Sequence, residues 1–194
     1  MTLKKYNEKR DTKESGEPAG KKEKESGKLH FVVQEHNASH LHYDFRLELN
    51  GVMPSWAIPK GPSMDPSVKH LAMRVEDHPL DYRNFEGVIP KGNYGAGEVI
   101  VWDRGYYNAP GVTGLKENEK VLEEGLKKGD LKFILHGEKL KGEFALVHMR
   151  SAKQDNAWLL IKKKDEYATK KDILKEDESV ISGKTIEDLK KENN

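Results

Sequence analysis

The sequence predicts an all-β domain, and three observations carry that prediction. From about residue 30 to residue 162 the apolar residues fall repeatedly into short runs of period two. Gly, Pro and Asn separate the runs, and only Glu119–Lys128, stopped by Gly129, reads as an internal helix. The pattern is that of a sandwich or a barrel. A length of 194 residues suits one domain with appended segments, and 35% charged residues place the surplus charge in those segments or on the surface.

Residues 1–28 hold only Met1, Leu3, Tyr6 and Ala19 as apolar residues, among nine Lys/Arg and six Asp/Glu, so alone this arm would be disordered. The core, residues 29–165, opens with a strand at Phe31–His36. Leu41–Leu49 is the strongest strand: Leu41, Tyr43, Phe45, Leu47 and Leu49 alternate with His42, Asp44, Arg46 and Glu48, one face for a core and one for chemistry. Asn50-Gly51 is a two-residue hairpin signal leading into Val52–Ile58. His70–His78 alternates again, with His70, Ala72, Arg74, Glu76 and His78 on one side. Further strands are expected at Glu98–Asp103, Leu131–Leu135, Gly142–Met149 and Ala157–Lys162. Residues 166–194 read as an exposed charged tail, with a short helix open at Thr185-Ile186-Glu187-Asp188.

Several function classes fall away on composition. No cysteine is present, which removes disulfides, zinc–cysteine sites and thiol nucleophiles; a metal would have to be held by His and carboxylates. A net charge of +1 gives no global attraction to polyanions, so nucleic acid would be bound by a local patch. With no apolar run of about 18 residues and no signal-peptide core, the expectation is a soluble cytoplasmic protein that does not enter a membrane.

Six of the eight histidines, His30, His36, His40, His42, His70 and His78, lie between residues 30 and 78. His42 and Asp44 project from one strand face about 7 Å apart at the backbone. With His36 turned to the same side they form a two-His, one-carboxylate set suited to a transition metal; equally, the three are surface residues of an exposed sheet. Arg46 extends the row as an anion fork, Lys60 stands in the rigid Pro59-Lys60-Gly61-Pro62 loop, and His78 either stabilises charge or protonates a leaving oxygen, or equally just caps a strand end. Tyr82 and Tyr94 are anion donors or simple packing. Gly92–Gly97 lacks the Lys-Ser/Thr of a phosphate loop and reads as a turn or bulge, and no Gly-x-Ser-x-Gly elbow exists. The lysine runs Lys21-Lys22 and Lys162-Lys163-Lys164 read as solvated tails.

The run His36-Asn37-Ala38-Ser39-His40-Leu41-His42-Tyr43-Asp44-Phe45-Arg46-Leu47-Glu48 resembles the signature of the 3′-phosphoesterase domain of bacterial DNA ligase D. Ser55–Pro62, Val75–Tyr82, Phe85-Glu86-Gly87, Val101–Gly105, Leu135–Gly142 and Trp158–Lys162 continue the likeness over about residues 6–165. The resemblance implies a compact single-domain β-barrel with short helices, the charged N-terminal arm folding over the active site. It implies a metal-dependent hydrolase, typically using Mn²⁺ with Co²⁺ as another possibility, that heals 3′ ends. A phosphodiesterase step removes a terminal ribonucleoside from a primer-template and a phosphomonoesterase step then leaves a 3′-OH. By motif position, His36, His42 and Asp44 would hold the metal. Arg46, Lys60, His78 and Tyr82 would contact or activate the phosphate, and Arg10, Asp11, Glu17, Gln34 and Glu76 would serve the diesterase step. His70 stands where relatives often carry a phosphate-contacting Arg. The expected partners are nucleic acid with 3′-ribonucleotide or 3′-phosphate ends and a DNA ligase on a separate chain, in non-homologous end joining; a monomer is expected.

Two rival readings remain at this level. A non-haem iron oxygenase would pair His42 and Asp44 with His136 or His148. A non-catalytic barrel would bind single strands through lysines and aromatics.

Overall fold

The computed structural model describes residues 3–20, 27–150 and 153–193. Nine antiparallel strands follow in chain order: β1 Leu29–Asn37, β2 Leu41–Leu47, β3 Ser55–Ile58, β4 Lys69–Arg74, β5 Gly87–Ile89, β6 Gly97–Asn108, β7 Asp130–Gly137, β8 Lys141–His148 and β9 Ala157–Lys162. Eight of them close in the order β1-β2-β3-β4-β9-β8-β7-β6, with β6 returning to β1, and β5 adds to β6 outside the ring. Eight strands leave an interior just wide enough for side chains to fill it. Phe31, Phe45, Trp56, Trp102, Phe133 and Phe144 do so, each fully buried.

The 12-residue β6 closes the barrel. One edge of it pairs along the whole of β1, while the other pairs with β5 at its start and β7 at its end. The register slips at Val33/Gln34, where Trp102 is the extra residue, a bulge that strengthens the local twist. Gly97 begins the strand at φ 141°, and a Cβ there would lie 2.1 Å from the Asn37 carbonyl oxygen, so only glycine allows the close approach. The hairpin read from Asn50-Gly51 forms with both residues left-handed, φ 53° and 76°, between the paired Leu49 and Val52.

Several elements differ from the sequence expectation. β4 leaves the sheet at Arg74 instead of running to His78; Val75 N–H bonds Ser55, and His78 pairs alone with Met53. β6 is longer than Glu98–Asp103, and the internal helix runs from Leu115 to Lys128 and seats Leu122 in the core. The segment after residue 165 is not an exposed tail. Ile173 packs on the main core, the Trp102 indole N–H donates to the Glu176 carbonyl, and the helix Ile186–Glu192 buries Ile186 and Leu189 against Ile100. A complete Thr185/Asp188 capping box starts that helix. Lys162 is buried, its ammonium held by Asp165 and two carbonyls, and so is not part of a solvated run. Lys21-Lys22 lie outside the described residues.

A second layer lies against the outside of the wall that includes the neighbouring strands β1 and β6. Val32, Met53, Leu80 and Val101 make a small apolar cluster there, beneath the 3₁₀ turn Leu80–Asn84. The arm joins this layer as two short helices, α1 Lys4–Lys9 and α2 Thr12–Ser15, with Tyr6 completely buried.

Candidate active site

The outward-facing residues of β1 and β2 stand in register. His36 faces His42 and Gln34 faces Asp44 across the strand pair, and Arg46 follows Asp44 on the same face. Around them the arm, the Val75–Tyr82 segment and the Tyr94–Gly95 turn close a cavity of about 190 Å³. Its polar lining is Arg10, His36, His42, Asp44, Arg46, Glu76, His78, Tyr82 and Tyr94.

His36, His42 and Asp44 form a three-donor cluster whose ligand atoms all lie within 4.8 Å of one another. His36 Nδ1 and His42 Nε2 each stand 3.5 Å from a different oxygen of Asp44. The remaining ring nitrogens face backbone carbonyls, His36 Nε2 that of Gly95 at 2.8 Å and His42 Nδ1 that of His40 at 2.9 Å. In the neutral rings a carbonyl, which can only accept, keeps the proton on the nitrogen that faces it and leaves a lone pair on the nitrogen facing Asp44, the arrangement of a metal-ligating histidine. Two imidazoles and one carboxylate, with room beside them, fit a divalent transition metal. Burial opposes the Asp44 charge, but Arg46 and the two histidines overcome it and hold the carboxyl well below its ordinary range. For His42, burial pulls the pKa down, and the bond that the protonated ring donates from Nε2 to Asp44 more than restores it.

Next to this cluster, two guanidinium groups bracket His78. Arg46 bonds Gln34 at 2.8 Å and Asp44 at 2.9 Å, and its third nitrogen stands 3.0 Å from His78 Nδ1. Arg10 bonds Glu17 and Glu76, each at 2.8 Å, and reaches His78 Nε2 at 3.2 Å. Burial, then Arg46 and Arg10, push the imidazole well below its usual range, so His78 is neutral here. With Nδ1 also 3.0 Å from the Glu76 carbonyl, the tautomer that carries its proton on Nδ1 donates to that carbonyl and accepts from Arg10 at Nε2, which leaves Arg46 beside Nδ1 in contact without a hydrogen bond. In this state His78 is a hydrogen-bonding group and not a charged acid. The Tyr82 hydroxyl donates to Glu17 at 2.8 Å, and burial raises its pKa well above the usual phenol.

The structure therefore brings Arg10, Glu17, Glu76, His78 and Tyr82 to the cluster and leaves other expected residues apart. Gln34 is adjacent but does not line the cavity. Its carbonyl holds Arg46, and its amide donates to the Tyr82 and Phe85 carbonyls at 3.0 and 2.9 Å, which makes it a positioning group. Asp11 caps α2 by accepting from Lys13 N–H and is exposed. Lys60 is exposed in the turn beyond β3 and lines no wall of the cavity. His70 lies on the opposite face of the sheet from the site: β4 buries Ala72 inward, and His70, of the same parity, bonds the Gly61 carbonyl. Extending the alternation through residues 75–78, where the chain has left the sheet, wrongly set His70 beside His78. His136 and His148, the third ligands of the oxygenase reading, bond Asn108 and the Asp155 carbonyl away from the cluster.

Three contributors escape a motif reading. Tyr6 packs edge-on against His78 and Tyr82, its hydroxyl donating to the Pro18 carbonyl at 2.6 Å. Lys9 reaches Glu76 at 3.1 Å and Tyr94 at 3.3 Å. Gly95 orients His36 through its carbonyl. Tyr6 had one signal, being the only aromatic residue of a charged arm.

The chain is 50% identical over 190 residues to the multifunctional non-homologous end joining protein LigD of Pseudomonas aeruginosa, covering 95% of this chain and 22% of that protein. It is 43% identical over 146 residues to the LigD DNA repair protein of Mycobacterium tuberculosis, 75% of this chain and 18% of the relative. With that of Mycolicibacterium smegmatis it shares 38% over 162 residues, 83% of this chain and 20% of the relative. The chain thus spans about a fifth of the length of these curated relatives. Residues 34–148, which carry the cluster, Arg46, His78 and Tyr82, match the DNA ligase D 3′-phosphoesterase domain, and the chain belongs to that family.

Proposed function

We propose that this barrel is a Mn²⁺-dependent 3′-end-healing phosphoesterase: it removes a terminal ribonucleoside from a primer-template and then the 3′-phosphate, leaving a 3′-OH for a DNA ligase in end-joining repair. The observation that carries the reading is the metal-ready cluster next to two buried arginines in one small cavity. A divalent ion held by His36, His42 and Asp44 supplies Lewis acidity toward a phosphoryl group. Arg46 and Arg10 grip the non-bridging oxygens through their forks. His78, held between them, contributes a hydrogen bond at a reacting oxygen, and Tyr82 fixes Glu17 and so the arm. Lys9, Arg10, Glu17 and Glu76 form a chain of ion pairs by which the arm encloses the leaving nucleoside. A barrel that only bound single strands would have no use for two histidines with preset tautomers.

The test incubates the protein on a labelled primer-template ending in one ribonucleotide, with Mn²⁺ or with EDTA, and with His42→Ala alongside. The expected result is two successive products, a 3′-phosphate and then a 3′-OH, both lost with EDTA or with His42→Ala. Turnover unaffected by EDTA, or no turnover with any divalent metal on either end, would overturn the proposal.

A further inference from the structure

A larger cavity, of about 510 Å³, lies on the same outer wall toward the other end of β1. His30 of β1, Tyr106 of β6 and His136 of β7 are directly paired across the sheet, so their side chains share one face. Tyr106 and His136 stack with ring centroids 4.5 Å apart and planes 18° apart, and Tyr106 is 43% exposed. Asn108 holds His136 in place at 2.7 Å. The Lys28 ammonium lies 4.6 Å over the Tyr106 ring, and Arg104 and Arg83 line the same cleft. Arg104 is exposed and makes no ion pair among the described residues, while Glu48 is already taken up by His30 and Arg83. Among the described residues, Glu138 is the one carboxylate on the cleft wall.

The two cavities share a wall, the 3₁₀ turn Leu80–Asn84. Tyr82 faces the candidate active site, and Arg83 and Asn84 face the second cleft. His36 lies six residue steps along β1 from His30, roughly 20 Å at ~3.3 Å per residue. A strand that advances ~3.4 Å per nucleotide in duplex form covers that span in about six nucleotides. An exposed aromatic stack flanked by cations is the chemistry that holds an unpaired base and its phosphates.

Resting on the end-healing reading above, we propose that this cleft is a second nucleic-acid contact. An unpaired base of the substrate, about six nucleotides from the reacting 3′ end, extends the Tyr106–His136 stack while Arg104 and Arg83 meet the flanking phosphates. The test measures fluorescence anisotropy in EDTA, where no metal chemistry intervenes, on a primer-template with or without a ten-nucleotide single-stranded template extension.

Tyr106→Ala is expected to weaken binding of the extended substrate roughly five- to 150-fold. Tyr106→Phe, which keeps the ring, restores it. Arg104→Ala lowers the slope of log affinity against log salt by about one. Turnover of a three-nucleotide 3′-phosphate, too short to reach the cleft, stays the same in all three variants. Equal affinity of Tyr106→Ala and the unaltered protein for the extended substrate would overturn the proposal. Binding that does not depend on Tyr106, beside intact hydrolysis, refutes the cleft alone, and Tyr106-dependent binding without hydrolysis on any end refutes only the end-healing reading.

Discussion

Tyr6→Ala tests whether the arm is a docked part of the site. The ring is completely buried, stands 5.2 Å from His78 and 6.1 Å from Tyr82, carries the Arg10 guanidinium 4.4 Å over its face, and donates its hydroxyl to Pro18 at 2.6 Å. Truncating a buried aromatic to alanine costs about 3–5 kcal/mol. Because Tyr6 belongs to none of the barrel's apolar clusters, the loss falls on docking of the arm and not on the barrel. The docking equilibrium should fall by roughly 10²- to 4 × 10³-fold. Tyr6→Phe, losing only the hydroxyl bond of about 1 kcal/mol, should cost about fivefold. Amide hydrogen exchange of residues 3–18, with tryptic cleavage after Arg10 or Lys13, reads the equilibrium directly, and a thermal melt reads the barrel. The expected result is an arm that exchanges and is cut rapidly beside a melting temperature within a few degrees of the unaltered protein. An arm as protected as before would refute the docking, and an arm released only together with the barrel would refute its independence.

Gln34→Ala leaves the Arg46 Nε–H without its acceptor in a buried place, a cost of about 1–3 kcal/mol; since Gln34 positions Arg46 without lining the cavity, turnover should drop more than metal affinity, as kinetics beside calorimetric Mn²⁺ titration will show. Gly97→Ala would drive a methyl into the Asn37 carbonyl at a φ of 141°, so a loss of more than about 2 kcal/mol is expected by urea unfolding, and a neutral result would contradict the β1–β6 junction described. Glu35, buried at the barrel end near Asp177, has its carboxyl pushed up from 4.5 to about 7, first by burial and then by that neighbour's charge. The unfolded chain therefore ionises first, and stability should fall by up to about 3 kcal/mol as pH rises from about 4.5 to 7. Glu35→Gln should flatten that slope in melts across pH, and a slope left unchanged would exclude Glu35 as its source.

Where alternation was unbroken, the sequence was a reliable guide. β2 buries Tyr43, Phe45 and Leu47 and presents His42, Asp44 and Arg46 on the other face, as the period of two requires. The first residue of the pattern, Leu41, is nonetheless 48% exposed, because β2 begins there beyond the barrel's rim. Alternation misled where the backbone left the sheet: the count from His70 to His78 assumes one straight strand, and the chain turns away after Arg74. The arm was hidden for a different reason. Its docking depends on one aromatic residue and on bonds with residues more than 60 positions away, the ion pair of Arg10 with Glu76 and the hydrogen bond from Tyr82 to Glu17, which no local window contains. The terminal segment likewise holds few apolar residues, and burial of Ile173, Ile186 and Leu189 follows from the open barrel end they meet. The tautomers of His36 and His42 depend on the Gly95 and His40 carbonyls, backbone groups whose placement exists only in the folded loops.

Siting the chemistry on the outer skin of the wall divides the duties of β2 residue by residue. A saturation map of Leu41–Leu47 should resolve into two interleaved combs. Teeth at positions 43, 45 and 47 would appear as lost solubility and abundance, and teeth at 42, 44 and 46 as abundant protein that has lost its activity. Drift could then retune the chemistry of such a barrel without first weakening the vessel that carries it.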